Sequence, residues 1–164
     1  CVLAGSADWD GAFAALQLRY EGDVRVSAIA RTLHTEVDGV PVVVRLRREE
    51  PHWISVSAPL PDFPSDSVSL HRHGYPGSSP LRTLDWVVSQ RISVKGTPSS
   101  ELVEQACRDG IRTPLVEVLM SSSGSRVGPD EIEMYVEFDA SKAANAIATV
   151  MTLRHAWVAG MPSN

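Results

Sequence analysis

Cysteine is nearly absent from this chain of 164 residues, and the two present, Cys1 and Cys107, cannot build a disulfide framework. Positive charge is in short supply as well. Fifteen Lys and Arg stand against twenty Asp and Glu, a net charge of −5 that argues against nucleic acid or an anionic membrane as the main partner. The one basic cluster, Arg45-Leu46-Arg47-Arg48, runs straight into Glu49 and Glu50 and reads as a solvated strand end. No apolar run approaches the roughly 18 residues of a spanning helix, so the visible chain contains no transmembrane segment. Nucleotide and hydrolase signatures are missing too: there is no Gly-Lys-Ser/Thr phosphate loop and no Gly-x-Ser-x-Gly elbow.

What remains is ordinary soluble-protein material, 43% hydrophobic and 21% charged. A chain of this length buries roughly 70% of its unfolded surface, enough for a core without staples. We expect an N-terminal tail over 1–8, one domain over 9–160 and a short tail over 161–164. Cys1 stands where a full reading frame would have Met, and three readings stay open. It marks a fragment boundary, or it is the lipidated residue of a mature bacterial lipoprotein, or Cys1 to Ala7 is the small-residue tail of a signal peptide. The location is accordingly either cytoplasmic or at the bacterial envelope, with anchoring through the N-terminus under the second reading.

The clearest pattern surrounds Asp38-Gly39. As a two-residue type I′ turn it sets Val37 opposite Val40, Thr35 opposite Val42 and Leu33 opposite Val44, all on one face. His34, Glu36, Val43, Arg45 and Arg47 then point to the other face, and a one-residue slip would scatter both sets. Strands are predicted at about 24–28, 33–38, 41–48 and 53–58, with Arg48-Glu-Glu-Pro51 as a hairpin connection and Pro59 and Pro61 as stops. Asp8 or Asp10 caps a first short helix through Phe13, Leu16 and Tyr20. Residues 67–73 alternate again, Gly74 to Pro80 reads as an exposed turn-rich excursion, and Trp86, Val88, Ile92 and Val94 mark a strand ended by Gly96.

Beyond Gly96 the period changes from two to 3.6. Thr97-Pro98 and Thr113-Pro114 each read as a helix start, followed by Leu102, Val103, Ala106 and Cys107, and by Leu115, Val118 and Leu119. Cys107 is expected to be a buried free thiol. Ser121 to Gly128 reads as a flexible polar loop. Ile132, Met134, Val136 and Phe138 alternate with acids as a strand, and Asp139 or Ser141 caps a long helix carrying Ala143, Ile147, Val150, Met151 and Trp157 on one stripe. The fold class is α+β: an antiparallel sheet covered on one face by helices, including a long C-terminal helix.

From Val24 to Trp157 this order resembles a loose set of uncharacterised bacterial α+β domains. The residues that carry the resemblance are the hairpin Val37-Asp-Gly-Val-Pro41, the strand closing on Val94-Lys95-Gly96, and the helix with Thr113-Pro114, then a strand and a terminal helix. Asp85-Trp86 stands where those domains carry an aromatic-to-aspartate motif. Some of them sit beside membrane segments, and the resemblance implies a fold rather than an activity. The order also looks like an elaborated version of small secretion-chaperone folds.

Candidate chemistry is thin. His71 and His73 have metal-like i, i+2 spacing on a strand, with His34, His52 or Asp66 as third ligands by assumption; the plainer reading makes both solvated, with no metal and no cofactor. Glu131, Glu133, Glu137 and Asp139 form an acidic row that reads as the wet face of an edge strand. Cys107 with His155 as a nucleophile–base pair ranks below packing roles for both. Trp53, Trp86 and Trp157 fit inward or partly buried positions, and Trp9 lies near an end with little periodic support. The sequence therefore favours a non-enzymatic accessory or protein-interaction domain with a protein partner, with two alternatives: a small-ligand or lipid-binding module, and a metal-dependent enzyme using His71 and His73.

Overall fold

The computed structural model describes residues 13–47, 53–137 and 139–160. A first helix, α1, covers residues 13–19, and its Phe13 and Leu16 are buried. A meander follows: β1 (Gly22–Val26), β2 (Ala30–Val37), β3 (Val40–Arg47) and β4 (Trp53–Pro59). Then come β5 (Ser69–Arg72), β6 (Ser79–Pro80), α2 (Trp86–Arg91), β7 (Ile92–Lys95), α3 (Ser100–Ala106), α4 (Arg112–Met120), β8 (Arg126–Val127), β9 (Glu131–Glu137) and α5 (Ala140–Ala159). The strands form one nine-stranded sheet in the order β1-β2-β3-β4-β9-β8-β5-β7-β6, antiparallel throughout. The protein is therefore α+β, as its patterning implies.

The Asp38-Gly39 hairpin has the expected register, Val37 opposite Val40, Thr35 opposite Val42 and Leu33 opposite Val44. Both turn residues take positive φ, 51° at Asp38 and 79° at Gly39, the pair of angles that a type I′ turn demands. Leu33, Val42 and Val44 are fully buried, and Val37 is half-buried against the same core. Ile54, Val56, Ile132 and Met134 continue that face across β4 and β9. Each such side chain contributes about 1.5–3 kcal/mol on burial, so the alternation alone fixes which face the helices must cover.

Helix α5 supplies most of that cover, packing on β9 and β4, while α4 packs against α5, β5 and β8. Asp139 caps α5, its Oδ1 accepting from the backbone N–H groups of Ser141 and Lys142. Ala143, Ile147, Val150, Met151 and Trp157 are buried as the stripe requires. Trp157 lies at the far end, stacked on Phe63 with ring centroids 5.5 Å apart, and Gln105 Nε2 donates to its carbonyl at 2.9 Å. That contact ties α3 to the last turn of α5.

Several expectations are corrected. Residues 86–91 are helical, and the strand is confined to Ile92–Lys95, because the Asp85 carboxylate accepts from Val87 N and Val88 N and caps a helical turn there. Thr97-Pro98 precedes α3 rather than opening it; Ser99 is the cap, accepting from Leu102 N. Strand β9 is no edge strand but the middle strand of the sheet, between β4 and β8. The serine loop is not a loose connection. Ser125 is fully buried, its Oγ accepting from Tyr135 N at 3.0 Å and sharing a 2.9 Å hydrogen bond with Ser121 Oγ. Cys1, Trp9, the cap at Asp8 or Asp10, the Arg48–Pro51 connection, His52, Phe138 and both terminal tails lie outside the described residues.

Candidate functional site

The two histidines singled out by spacing do not share an environment. His71 is only 3% exposed, on the sheet face opposite the helices, whereas His73 is exposed in the turn after β5. The cause is the Gly74–Ser78 segment, which folds back rather than out. Backbone bonds from Tyr75 N to Arg72 O and from Ser78 N to Tyr75 O close it, and the Tyr75 ring lies on the His71 ring at 3.9 Å, nearly parallel. Ser69 Oγ sits 2.7 Å from His71 Nε2, and Nδ1 is buried with no hydrogen-bond partner among the described residues. Desolvation, reinforced by the nearby Arg126 and Lys95, pushes the His71 pKa down to about 4, so the ring is neutral at physiological pH. Among the described residues no three His, Cys, Asp or Glu side chains converge as a metal site.

The acidic row is likewise built into the fold. Glu131 pairs with Arg126, and burial raises its carboxyl pKa despite that partner. Glu137 pairs with Lys142, whose hydrogen bond holds the Glu137 carboxyl below its usual range. His155 stands exposed on α5.

The feature that packing does not absorb lies elsewhere, around α2. Leu84 is fully exposed (108%), Trp86 is 73% exposed and Val87 41%, three consecutive large apolar residues save for Asp85 between the first two. This corrects the expectation that Trp86 is inward or partly buried. Trp53, 37% exposed, is partly buried, and Trp157 is fully buried.

The segment presenting these residues is pinned at many points. Leu81 is buried, and its N–H donates to Ile92 O. Thr83 Oγ1 accepts from Asp85 N at 2.8 Å, Ser89 Oγ donates to Thr83 O at 2.9 Å, and Thr83 N donates back to Ser89 Oγ at 3.1 Å. Asp85 completes the set: one carboxylate oxygen caps α2, the other accepts from Arg112 Nη1 at 2.8 Å. The Arg112 hydrogen bond is the main reason that the Asp85 carboxyl lies below its ordinary pKa. The apolar side chains are thus held out by a rigid backbone.

Between this segment and α3 runs a groove of about 770 Å³, lined on one side by Arg82, Thr83, Leu84 and Asp85. Across it stand Val103 and Cys107, one helical turn apart on the side of α3 adjoining the buried Leu102 and Ala106. Cys107 is therefore half-buried in the groove wall rather than sealed in the core. Arg82, Arg108 and Glu104 supply the charge of the lining, Asp85 being matched by Arg112. Sequence reasoning missed this site because Trp86, Val88, Ile92 and Val94 do alternate. The overlooked signal was Asp85 itself, a cap residue directly before a bulky run.

No family model and no curated protein matches the chain in sequence. Among solved structures, the fold is similar to the crystal structure of the mycobacterial trehalose monomycolate transport factor A, TtfA. The TM-score is 0.55 at 10% sequence identity, over 91% of this chain and 85% of that one. At that identity the likeness is one of fold. No helix among the described residues is long and apolar enough to cross a membrane.

Proposed function

We propose that the protein is a non-enzymatic accessory domain that binds a segment of another protein on the Leu84–Trp86–Val87 platform and the adjoining groove. The observation that carries this reading is the full exposure of Leu84 and near-exposure of Trp86 on a backbone fixed by the Thr83, Asp85 and Ser89 hydrogen bonds. Covering large apolar side chains gains about 1.5–3 kcal/mol each, and a pre-ordered backbone loses little entropy on binding. Trp is a favoured anchor at interfaces for its large area and single donor. With Arg82 and Arg108 in the lining against Glu104, the segment that fits is an apolar anchor flanked by acidic residues. Residues 9–160 act as one unit of a larger assembly, and a fold similar to that of a transport factor is compatible with such an accessory role.

A second reading, a small-ligand or lipid-binding module, is favoured by the groove itself, whose volume falls among those of small-molecule sites (roughly 300–1,000 Å³). The two readings separate experimentally. A random peptide library displayed on phage and selected on the full chain should yield sequences pairing an aromatic or aliphatic anchor with Asp or Glu. Their affinity should fall about tenfold or more for a Leu84→Ser/Trp86→Ser variant whose melt is unchanged. Selected peptides that bind both proteins equally would remove the platform from the account. Trp86-dependent sedimentation with phosphatidylcholine vesicles, without such peptides, would favour the second reading.

A further inference from the structure

The two edges of the sheet are built differently. At one end β6 is two residues long and includes Pro80, too short and too poor in N–H groups to template another strand. At the other end β1 runs five residues, Gly-Asp-Val-Arg-Val, with neither proline nor lysine, and among the described residues no strand pairs with its outer edge. We infer that the protein forms a two-fold homodimer in which β1 pairs antiparallel with β1 of a second copy, centred on Val24.

The register follows from sheet geometry and charge. A two-fold axis perpendicular to the sheet keeps the helices of both copies on one face, so outward residues must oppose outward residues. Val24 stands opposite the buried Leu33 and faces the helical side, which puts Asp23 and Arg25 on the other face. Centred on Val24, the pairing sets each Asp23 opposite Arg25 of the second copy, giving two unlike-charge pairs. Moving the centre to Asp23 sets acid on acid, and moving it to Arg25 sets base on base, which cross-strand pairing penalises. The charge order of β1 is thus complementary to its own reverse in one register that retains every residue of the strand.

The side chains are free to make the exchange. Arg25 Nε and Asp23 Oδ2 lie 3.0 Å apart within one strand, but both side chains are 68% exposed, so that pair contributes little where it is. Shape agrees on the helical face. Val26, 68% exposed, falls opposite Gly22 of the second copy, which has no side chain to obstruct it, and Val24 meets Val24 at the axis. A further exposed apolar residue, Ile29, lies in the β1–β2 turn at the end of this strand. The site is distinct from the groove at α2 and does not depend on it.

Sedimentation equilibrium on the full chain tests the proposal, because the charge pattern allows both a break and a repair. At about 100–300 µM, a range suited to a small interface, wild type should show dimer mass. Arg25→Asp and Asp23→Arg, each folded by circular dichroism, should raise the dimer Kd about tenfold or more. Mixing these two variants should restore dimer mass as a heterodimer, and the double swap Asp23→Arg/Arg25→Asp should restore the homodimer. A wild-type protein that stays monomeric over that range would overturn the inference. So would a dimer that ignores both reversals, or one lost instead in Leu84→Ser/Trp86→Ser, since either would place the contact on another surface.

Discussion

Strands β2, β3 and β4 run seven or eight residues each, and hairpin turns join β1 to β2 and β2 to β3; β5, β6, β7 and β8 run two to four residues and are separated by turns and helices. In the first region the ladder and the period-two alternation specify the register together, and almost every inward residue is aliphatic. In the second, short strands cannot specify themselves. Particular side-chain contacts outside the ladder hold them: Tyr75 on His71 and Ser125 under Tyr135 N within a few residues, Phe63 on Trp157 and Asp85 to Arg112 across the chain. Strand alternation suffices for one region, while the other is stabilised by individual side-chain contacts that the strand pattern does not record. The candidate binding groove lies in the second.

The comparison is broken most severely by removing Trp157. Trp157→Ala leaves a cavity beneath Phe63 and at the end of α5 and should cost about 4 kcal/mol in urea unfolding. Native-state hydrogen exchange should show β5, β7 and α3 losing protection before β2 and β3. Uniform loss across the sheet would mean that the two regions are one cooperative unit.

Next in size is a lesion in the first region. Gly39 has φ 79°, a conformation that a β-branched residue resists, so Gly39→Val should cost about 2 kcal/mol. Thermal denaturation would check this, and an unchanged melt would show that the turn does not set the hairpin.

His71 tests whether the second region depends on a desolvated side chain. Its folded pKa of about 4 lies below the ordinary imidazole value of 6.5, so the unfolded chain binds more protons between those values. Stability should be complete above about pH 6.5 and decline as pH falls to about 4, by roughly 2 kcal/mol after allowance for partial hydration. Glu131, raised by burial, acts in the opposite sense and makes the wild-type slope shallower. In His71→Phe the slope over this window should flatten. A wild-type stability that is level from pH 7 to 5 would contradict the burial argument.

The legibility of the sequence follows the same division. The Asp38-Gly39 register could be written residue by residue, since turn chemistry and alternation agree there. The C-terminal helix was equally plain from its Asp139 cap and its stripe. His71 was misread because its alternation with Val68 and Leu70 gave the right face but not the cover, which comes from Tyr75 turning back. Trp86 was misread because a six-residue helix followed at once by a four-residue strand has apolar spacing that alternation also fits. The groove is formed by residues 82–85 and 98–108 approaching in space, and no local period records that.

The smallest expected effect on stability is also informative about the site. Thr83→Val keeps the shape but loses the hydroxyl that accepts from Asp85 N and donates to Asp85 O, at about 1 kcal/mol. A groove-binding peptide should nonetheless weaken several-fold by fluorescence polarisation, because the platform loses its fixed backbone. Equal affinity for wild type and Thr83→Val would mean that rigidity of the turn is irrelevant to recognition.

The claim that the Leu84–Trp86–Val87 platform is the binding surface is tested most directly by nuclear magnetic resonance. A selected acidic–apolar peptide would be titrated into ¹⁵N-labelled protein and the amide and Trp indole shifts followed. The account predicts saturable shifts centred on residues 82–87 and 98–108, including the Trp86 indole, with the Trp157 indole nearly unmoved. Shifts centred instead on the open face of β2 and β3, around His34 and Glu36, or on no contiguous surface, would contradict it.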